Sequence, residues 1–74
     1  MTTFIVNYRN FAPIIEGIQN CGYTVLENLW EPSDENLRDC DGYLICMYNA
    51  KKRPQQLLKL KAQLHRHNIP LIAW

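Results

Sequence analysis

The sequence of 74 residues predicts a small α/β fold, in which a four-stranded parallel sheet of strand order 2-1-3-4 packs with three helices. Four apolar segments with strand character alternate with three segments of helical character. The third apolar segment, residues 43–48, contains no polar break, as is typical of a central parallel strand covered on both faces. With 47% hydrophobic and 20% charged residues, the composition is that of a folded domain and excludes a disordered chain.

The N-terminal half is predicted to form strand, helix and strand. Residues 3–8 are rich in apolar residues and form the first strand. Asn10 suits the N-cap of the first helix, Pro13 falls in its first turn, and Gly22 ends it. Residues 23–30 form the second strand. The apolar face of the helix has i, i+3, i+4, i+7 spacing at Phe11, Ile14, Ile15 and Ile18.

The C-terminal half is predicted to add two helices and two strands. Residues 32–33 open a short second helix, and residues 41–42 (Asp-Gly) form a turn before the strand at 43–48. Pro54 begins a third helix that runs to about His67, and Asn68 ends it. The fourth strand covers residues 69–74. The buried stripe of the third helix is predicted at Leu57, Leu58, Leu60 and Leu64.

The net charge of +1 conceals a strong asymmetry along the chain. Residues 1–49 hold seven acidic and two basic residues, and residues 50–74 hold six basic residues and none that is acidic, so the two parts carry −5 and +6. This polarity suits an acidic ligand, a nucleic acid or head-to-tail self-contact, and the alternative is an ordinary solvated helix face.

The three cysteines indicate a reducing compartment. Cys21, Cys40 and Cys46 are odd in number and form no C-x-x-C pair, so we expect free thiols that are buried or half-buried. No set of Cys and His has metal-ligand spacing, and no cofactor is predicted.

No apolar run reaches the roughly 18 residues of a membrane span, so we expect a soluble cytoplasmic protein with no membrane partner.

A ligand site is predicted where the carboxyl ends of strands 1 and 3 separate, which is the switch point of such a sheet. Aromatic side chains there can stack on a ring, and basic side chains, including those of residues 51–53, attract an anion. The predicted ligand-binding residues are Tyr8, Arg9, Asn10, Trp30, Tyr48, Asn49 and Lys51. The alternative is that these aromatic residues cap the core or fill an interface. No catalytic residue is predicted, and the turn after strand 1 lacks the glycines of a phosphate-binding loop.

Two stretches resemble flavodoxin-like α/β domains of the nucleoside 2-deoxyribosyltransferase and TIR type. Residues 37–45, followed by a helix and then residues 68–72, resemble the second half of the deoxyribosyltransferase-like domains. Residues 4–9 are similar to the first strand of TIR domains. The resemblance implies a flavodoxin- or Rossmann-like fold, and the same order of elements opens many glycosyltransferases. The catalytic Glu that those two families place on the helix before the last of these strands has no counterpart here, because the third helix has no acidic residue.

The predicted domain covers residues 1–74 and lacks the fifth strand and last helix of a flavodoxin-like domain, so it is either complete in itself or the N-terminal part of a larger domain. Right-handed crossovers leave the sheet face beside helix 1, over strands 3 and 4, without cover.

We therefore expect a non-catalytic interaction or ligand-binding module that associates through this face with itself or with a partner protein. The alternative is the nucleotide- or sugar-phosphate-binding part of an enzyme, a glycosyltransferase or deoxyribosyltransferase-like transferase. Nucleic-acid binding ranks third, because a net charge of +1 gives a weak electrostatic footprint.

Overall fold

A computed structural model of the chain describes residues 2–7 and 12–73. The elements are β1 (Thr3–Asn7), α1 (Ala12–Asn20), β2 (Thr24–Glu27), α2 (Asp34–Arg38), β3 (Cys40–Ile45), α3 (Met47–Lys52), α4 (Pro54–Arg66) and β4 (Leu71–Ala73). All strand pairs are parallel and the order is β2-β1-β3-β4, so the predicted fold class and strand order are confirmed. Within the described ranges, no helix has the length and apolar character needed to cross a membrane.

Both long helices end as the sequence predicts, on a residue with positive φ. Gly22 has φ of 93° and donates its N–H to the Gln19 carbonyl at 2.9 Å, while the Tyr23 N–H reaches the Ile18 carbonyl at 3.4 Å. This pair of bonds is a Schellman motif, and glycine adopts its left-handed residue without steric cost. Asn68, with φ of 56°, occupies the same position after α4. The predicted N-cap Asn10 and the apolar contact Phe11 lie outside the described residues.

The short helix α2 is held by its cap and by one buried leucine. The Asn36 N–H donates to the Ser33 hydroxyl at 3.1 Å, and the Ser33 N–H donates to the Asn36 side-chain oxygen at 2.9 Å, which completes a capping box. Leu37 is buried in the core. His67 Nε2 lies 3.2 Å from the Asp34 carboxylate and links α2 to the end of α4. These contacts explain why five residues suffice for a helix whose isolated form would not be stable.

The predicted turn at residues 41–42 is wrong, because both residues belong to β3. Thr3 pairs with Cys40 and Phe4 pairs with Gly42, so Asp41 is the extra residue of a bulge. A glycine inside a strand often marks a bulge or a close approach of another group. Both occur at Gly42, because it follows the bulge and a Cβ there would lie 2.7 Å from the Phe4 ring.

The predicted third strand extends too far, because the sheet ends at Ile45 and a further helix follows. Ile45 is the last β3 residue in register with β1, opposite Asn7. The Cys46 N–H donates to the Asn7 carbonyl at 2.8 Å, and Cys46 is then the N-cap of α3. Tyr48 therefore lies in a helix and not at a strand end, and the chain has four helices over the described residues instead of three. A continuous apolar run does not distinguish a buried strand from the start of a helix.

The second and fourth predicted strands are shorter than expected. The second strand ends at Glu27 because Asn28 has φ of 54° and leaves the extended conformation, so Trp30 lies beyond β2. The fourth strand begins at Leu71, and Trp74 lies outside the described residues, as does Tyr8 after β1.

The main core lies between the sheet and helices α2, α3 and α4. Its buried members are Ile5, Leu37, Cys40, Tyr43, Ile45, Ala50, Leu60, Leu64 and Ile69. Leu57 packs against this cluster as predicted, whereas Leu58 is 67% exposed, so its predicted place in the buried stripe is wrong. Leu58 lies about 100° from Leu57 around the helix axis, which turns it away from the sheet.

On the opposite face of the sheet, α1 covers the side of β1 and β2, whereas the side of β3 and β4 is exposed. Val6 and Ile15 are buried there, and α1 packs against β2. Leu44 and Ile72 are register partners on β3 and β4, and Ile72 is 48% exposed beside the half-buried Leu44. The predicted uncovered face over strands 3 and 4 is therefore present in the described part of the chain.

The three cysteines are free thiols. Cys40 is buried, which raises the pKa of its thiol above the ordinary value, and Cys46 is half-buried. Cys21 is exposed in the turn after α1, so the expectation of burial is wrong for this residue. The turn that Gly22 closes carries Cys21 away from the sheet.

We predict that Gly42→Ala destabilises the protein by about 1–3 kcal/mol, the usual cost of overpacking. A Cβ at Gly42 would lie 2.7 Å from Cε1 of Phe4, whose ring is itself held edge-on by Tyr23 at 4.6 Å between centroids. Urea unfolding followed by circular dichroism measures the change. Gly17→Ala in α1 is the matched control, because a Cβ there meets no atom within 4 Å and alanine should stabilise the helix by about 0.5–1 kcal/mol. Equal stability of the Gly42 variant and the parent would contradict the placement of Phe4.

Candidate functional site

A polar cleft of about 430 Å³ lies at the carboxyl edge of the sheet, where β1 and β3 diverge. Asn7 ends β1, Asn28 follows β2, and Asn49 lies in α3 just after β3. The lining residues are Asn7, Asn28, Trp30, Asn49, Lys52 and Arg53. The cleft occupies the switch point, which is where ligands bind in open parallel sheets.

A chain of side-chain hydrogen bonds forms the floor of the cleft. Asn49 Nδ2 donates to Asn7 Oδ1 at 2.7 Å, Asn7 Nδ2 donates to the Tyr43 hydroxyl at 3.1 Å, and the Tyr43 hydroxyl donates to the Leu29 carbonyl at 2.7 Å. Asn7 is only 1% exposed, so its amide satisfies its polar atoms inside the protein. Burial raises the pKa of the Tyr43 hydroxyl, and the hydrogen bond from Asn7 lowers it by a smaller amount. Because the pKa is raised on balance, the hydroxyl stays protonated and can donate its hydrogen bond.

The segment that carries Trp30 is attached to the body of the protein on both sides of the indole. Before it, the Asn28 N–H donates to the Val6 carbonyl at 2.9 Å, and the Leu29 carbonyl accepts from Tyr43. After it, Gln63 Nε2 of α4 donates to the Pro32 carbonyl at 2.7 Å. These bonds hold Trp30 as a fixed wall of the cleft, although the segment contains no helix or strand.

Two cations stand at the rim, and each lies over an aromatic ring. The Lys52 ammonium is 4.4 Å from the Tyr48 ring centroid, and the Arg53 guanidinium is 5.7 Å from that of Trp30. Arg53 also forms the junction between α3 and α4, since it ends the first and begins the second. Cation–π contacts of this kind restrict the two side chains without neutralising them. In the described part of the chain, no carboxylate lines this cleft.

The arrangement suits an anionic ligand with a flat or hydroxyl-bearing body. Lys52 and Arg53 supply positive charge, and charged donors make the stronger hydrogen bonds to phosphate. The amides of Asn28 and Asn49 are groups that pair with ring or sugar polar atoms, and Trp30 offers an apolar surface. Over the described residues there is no group of three or more His, Cys, Asp and Glu side chains that could hold a metal ion.

The structure brings together some of the residues predicted from sequence. Trp30 and Asn49 line the cleft. Tyr48 is not part of the lining, but its ring contacts the ammonium group of Lys52, which is. Lys51 is exposed and is absent from the cleft wall. The predicted residues Tyr8, Arg9 and Asn10 lie outside the described residues. Binding by any of them stays a prediction.

Asn7 and Asn28 were not predicted at this edge, and Lys52 and Arg53 were expected there without being counted among the ligand-binding residues. Asn7 was visible as a polar residue at the end of an apolar strand, which is a signal for a site at a sheet edge. Asn28 had no such signal, because the second strand was expected to continue to residue 30. Lys52 and Arg53 were expected near this edge, but the helix α3 decides that Lys52 faces the cleft and Lys51 does not.

Comparisons of the chain with protein-family models, with curated proteins and with solved structures found no match.

We predict that Tyr43→Phe destabilises the protein by about 1–3 kcal/mol, because it leaves the buried Asn7 amide and the Leu29 carbonyl without their shared partner. Thermal and urea unfolding measure the loss. Tyr23→Phe is the matched control, since it keeps the ring contact with Phe4 and should change stability less. An NMR spectrum of the Tyr43 variant should also show shifted Asn7 and Asn49 side-chain amides. Unchanged amide signals would contradict the hydrogen-bond chain.

Proposed function

We propose that this chain is a non-catalytic binding module that takes an anionic small molecule of the nucleotide or sugar-phosphate class in the cleft at the sheet edge. The observation that carries the proposal is the pair Lys52 and Arg53, held over Tyr48 and Trp30 at the rim of a cleft lined by amides. Two adjacent cations that are restrained before binding lose less conformational entropy when an anion arrives.

The distribution of charge supports an anion over a cation in this position. Residues 50–74 carry +6, and the two cations from this part of the chain that line the cleft, Lys52 and Arg53, have no carboxylate beside them in its described lining. Summed charges of one sign around a cleft raise the local concentration of the oppositely charged ligand. The amides and the indole then contribute selectivity, because they recognise the uncharged part of the ligand.

We predict that Lys52→Gln weakens nucleotide binding by about tenfold, since a hydrogen bond to a charged group contributes about 1.5–3 kcal/mol and about 1.4 kcal/mol is tenfold in affinity. Amide NMR titrations with adenosine, guanosine and uridine diphosphates measure affinity and location together. Chemical-shift changes are expected at Asn7, Asn28, Asn49 and the Trp30 indole.

Lys51→Gln is the matched control, because it removes the same charge from the neighbouring residue of the same helix, outside the cleft wall. Its effect should stay within about twofold, as expected for a change in net charge screened by salt. Equal weakening by the two variants would indicate non-specific attraction and contradict the proposal. Absence of binding by all three nucleotides would also contradict it, and turnover of a bound nucleotide would contradict its non-catalytic part.

A second function is favoured by a separate observation, the exposed sheet face of Leu44 and Ile72. We propose that this face associates with a second copy of the chain. Ile72 is 48% exposed next to its register partner Leu44, and burying apolar surface of this kind against a second copy lowers the free energy of the complex. β4 is also the edge strand of the sheet, where unpaired backbone groups favour contact with another chain.

We predict that Ile72→Lys raises the concentration needed for self-association by about tenfold or more, since burying an isoleucine contributes about 1.5–3 kcal/mol. Sedimentation velocity over a range of concentrations measures this. Leu58→Lys on α4 is the matched control: Leu58 is more exposed than Ile72 but lies on a different surface, so its change should leave the association unaltered. A parent protein that stays monomeric at all concentrations would contradict this second function.

A further inference from the structure

A second cavity of about 420 Å³ lies beside the cleft and shares its two cations. Its lining residues are Lys52, Arg53, Pro54, Gln55 and Gln56. Lys52 and Arg53 also line the first cleft, so one positive wall borders both spaces. Each space falls within the volumes of about 300–1,000 Å³ usual for small-molecule sites.

The two spaces differ in chemistry. The first cleft has the Trp30 indole and three asparagines, whereas the second cavity has no aromatic residue among its described lining and is bordered by the Gln55 and Gln56 side chains on the first turn of α4. Gln56 Oε1 accepts a long bond of 3.4 Å from Arg53, which couples this glutamine to the shared cations. Side-chain amides both donate and accept, as required to pair with hydroxyl groups.

We infer that the ligand of this site is a conjugate with its phosphate groups in the middle, a nucleoside diphosphate joined to a sugar. The base and ribose occupy the first cleft, the diphosphate lies against Lys52 and Arg53, and the sugar extends into the second cavity beside Gln55 and Gln56. This inference rests on the proposed function, and it adds that the charge lies in the middle of the ligand and that a sugar lies beyond it. A ligand that ended in phosphate would leave the second cavity to solvent.

The test compares each nucleoside diphosphate with its glucose conjugate by isothermal titration calorimetry, for the adenosine, guanosine and uridine series. Esterification with glucose removes one ionisable phosphate oxygen and so lowers the negative charge. Charge alone therefore predicts weaker binding of the conjugate to Lys52 and Arg53. We expect the opposite, a gain of about tenfold in affinity, which corresponds to the contacts of a hydroxyl-bearing group with two amides.

The double variant Gln55→Ala/Gln56→Ala locates the gain. The measured quantity is the ratio of the conjugate's affinity to that of the parent diphosphate, so that a general loss of affinity cancels. The ratio should fall from about ten to about one or below, since the variant removes both of the amides to which the tenfold gain is attributed. Gln19→Ala on α1 is the matched control, because it removes the same kind of side chain from an exposed position outside both cavities and should leave the ratio unchanged.

The outcomes separate this inference from the proposed function. A diphosphate that binds as tightly as its conjugate, or more tightly, overturns the inference and leaves the proposed function standing. A preference for the conjugate that survives the double variant also overturns the inference, because the sugar then lies elsewhere. If neither ligand of any series binds, the proposed function fails together with the inference.

Discussion

The hydrogen bonds of Asn7 and Tyr43 are the constraint on which the rest of the structure depends. An amide buried to 1% exposure at the end of a central strand would be costly without partners, and its two side-chain partners come from two different elements. Tyr43 lies on β3, Asn49 on α3, and the chain of bonds ends at the Leu29 carbonyl after β2. One buried polar group thus holds together the strand ends, the helix after β3 and the segment that carries Trp30. A fully paired network of this kind specifies a single arrangement, because each member fixes the orientation of the next.

The same network lies between the apolar core and the cleft. On the core side, Ile5, Ile45, Leu60 and Leu64 exclude water. On the cleft side, the open space is bordered by amides, an indole and two cations. The junction between α3 and α4 places Lys52 and Arg53 next to each other at this boundary, and aromatic rings restrain both. The proposed binding function and the second cavity beyond the cations both follow from this one junction.

Much of the fold could be predicted because its signals are local or periodic. The apolar strands, the stop residues Gly22 and Asn68, and the cap Ser33 are each encoded within a few residues, and they determine the sheet and its crossovers. The predicted site was less complete. Trp30 and Asn49 were identified, whereas Asn28 was missed because a strand was expected to continue through it. The third strand was expected through residue 48 because an apolar run looks the same in a strand and at the start of a helix.

The sequence by itself determined the class of fold, the strand order and the uncovered sheet face, and it predicted a site at the sheet edge where the cleft lies. These depend on patterns of burial and on the handedness of parallel crossovers, which hold for any chain of this kind. The tertiary structure decided the rest. The strand β3 ends where β1 ends, so Cys46 begins a helix and turns Lys52, not Lys51, into the cleft. The Phe4 ring requires glycine at position 42, and Tyr43 reaches across to Leu29. Such choices depend on neighbours that are distant in the chain, and no local pattern encodes them.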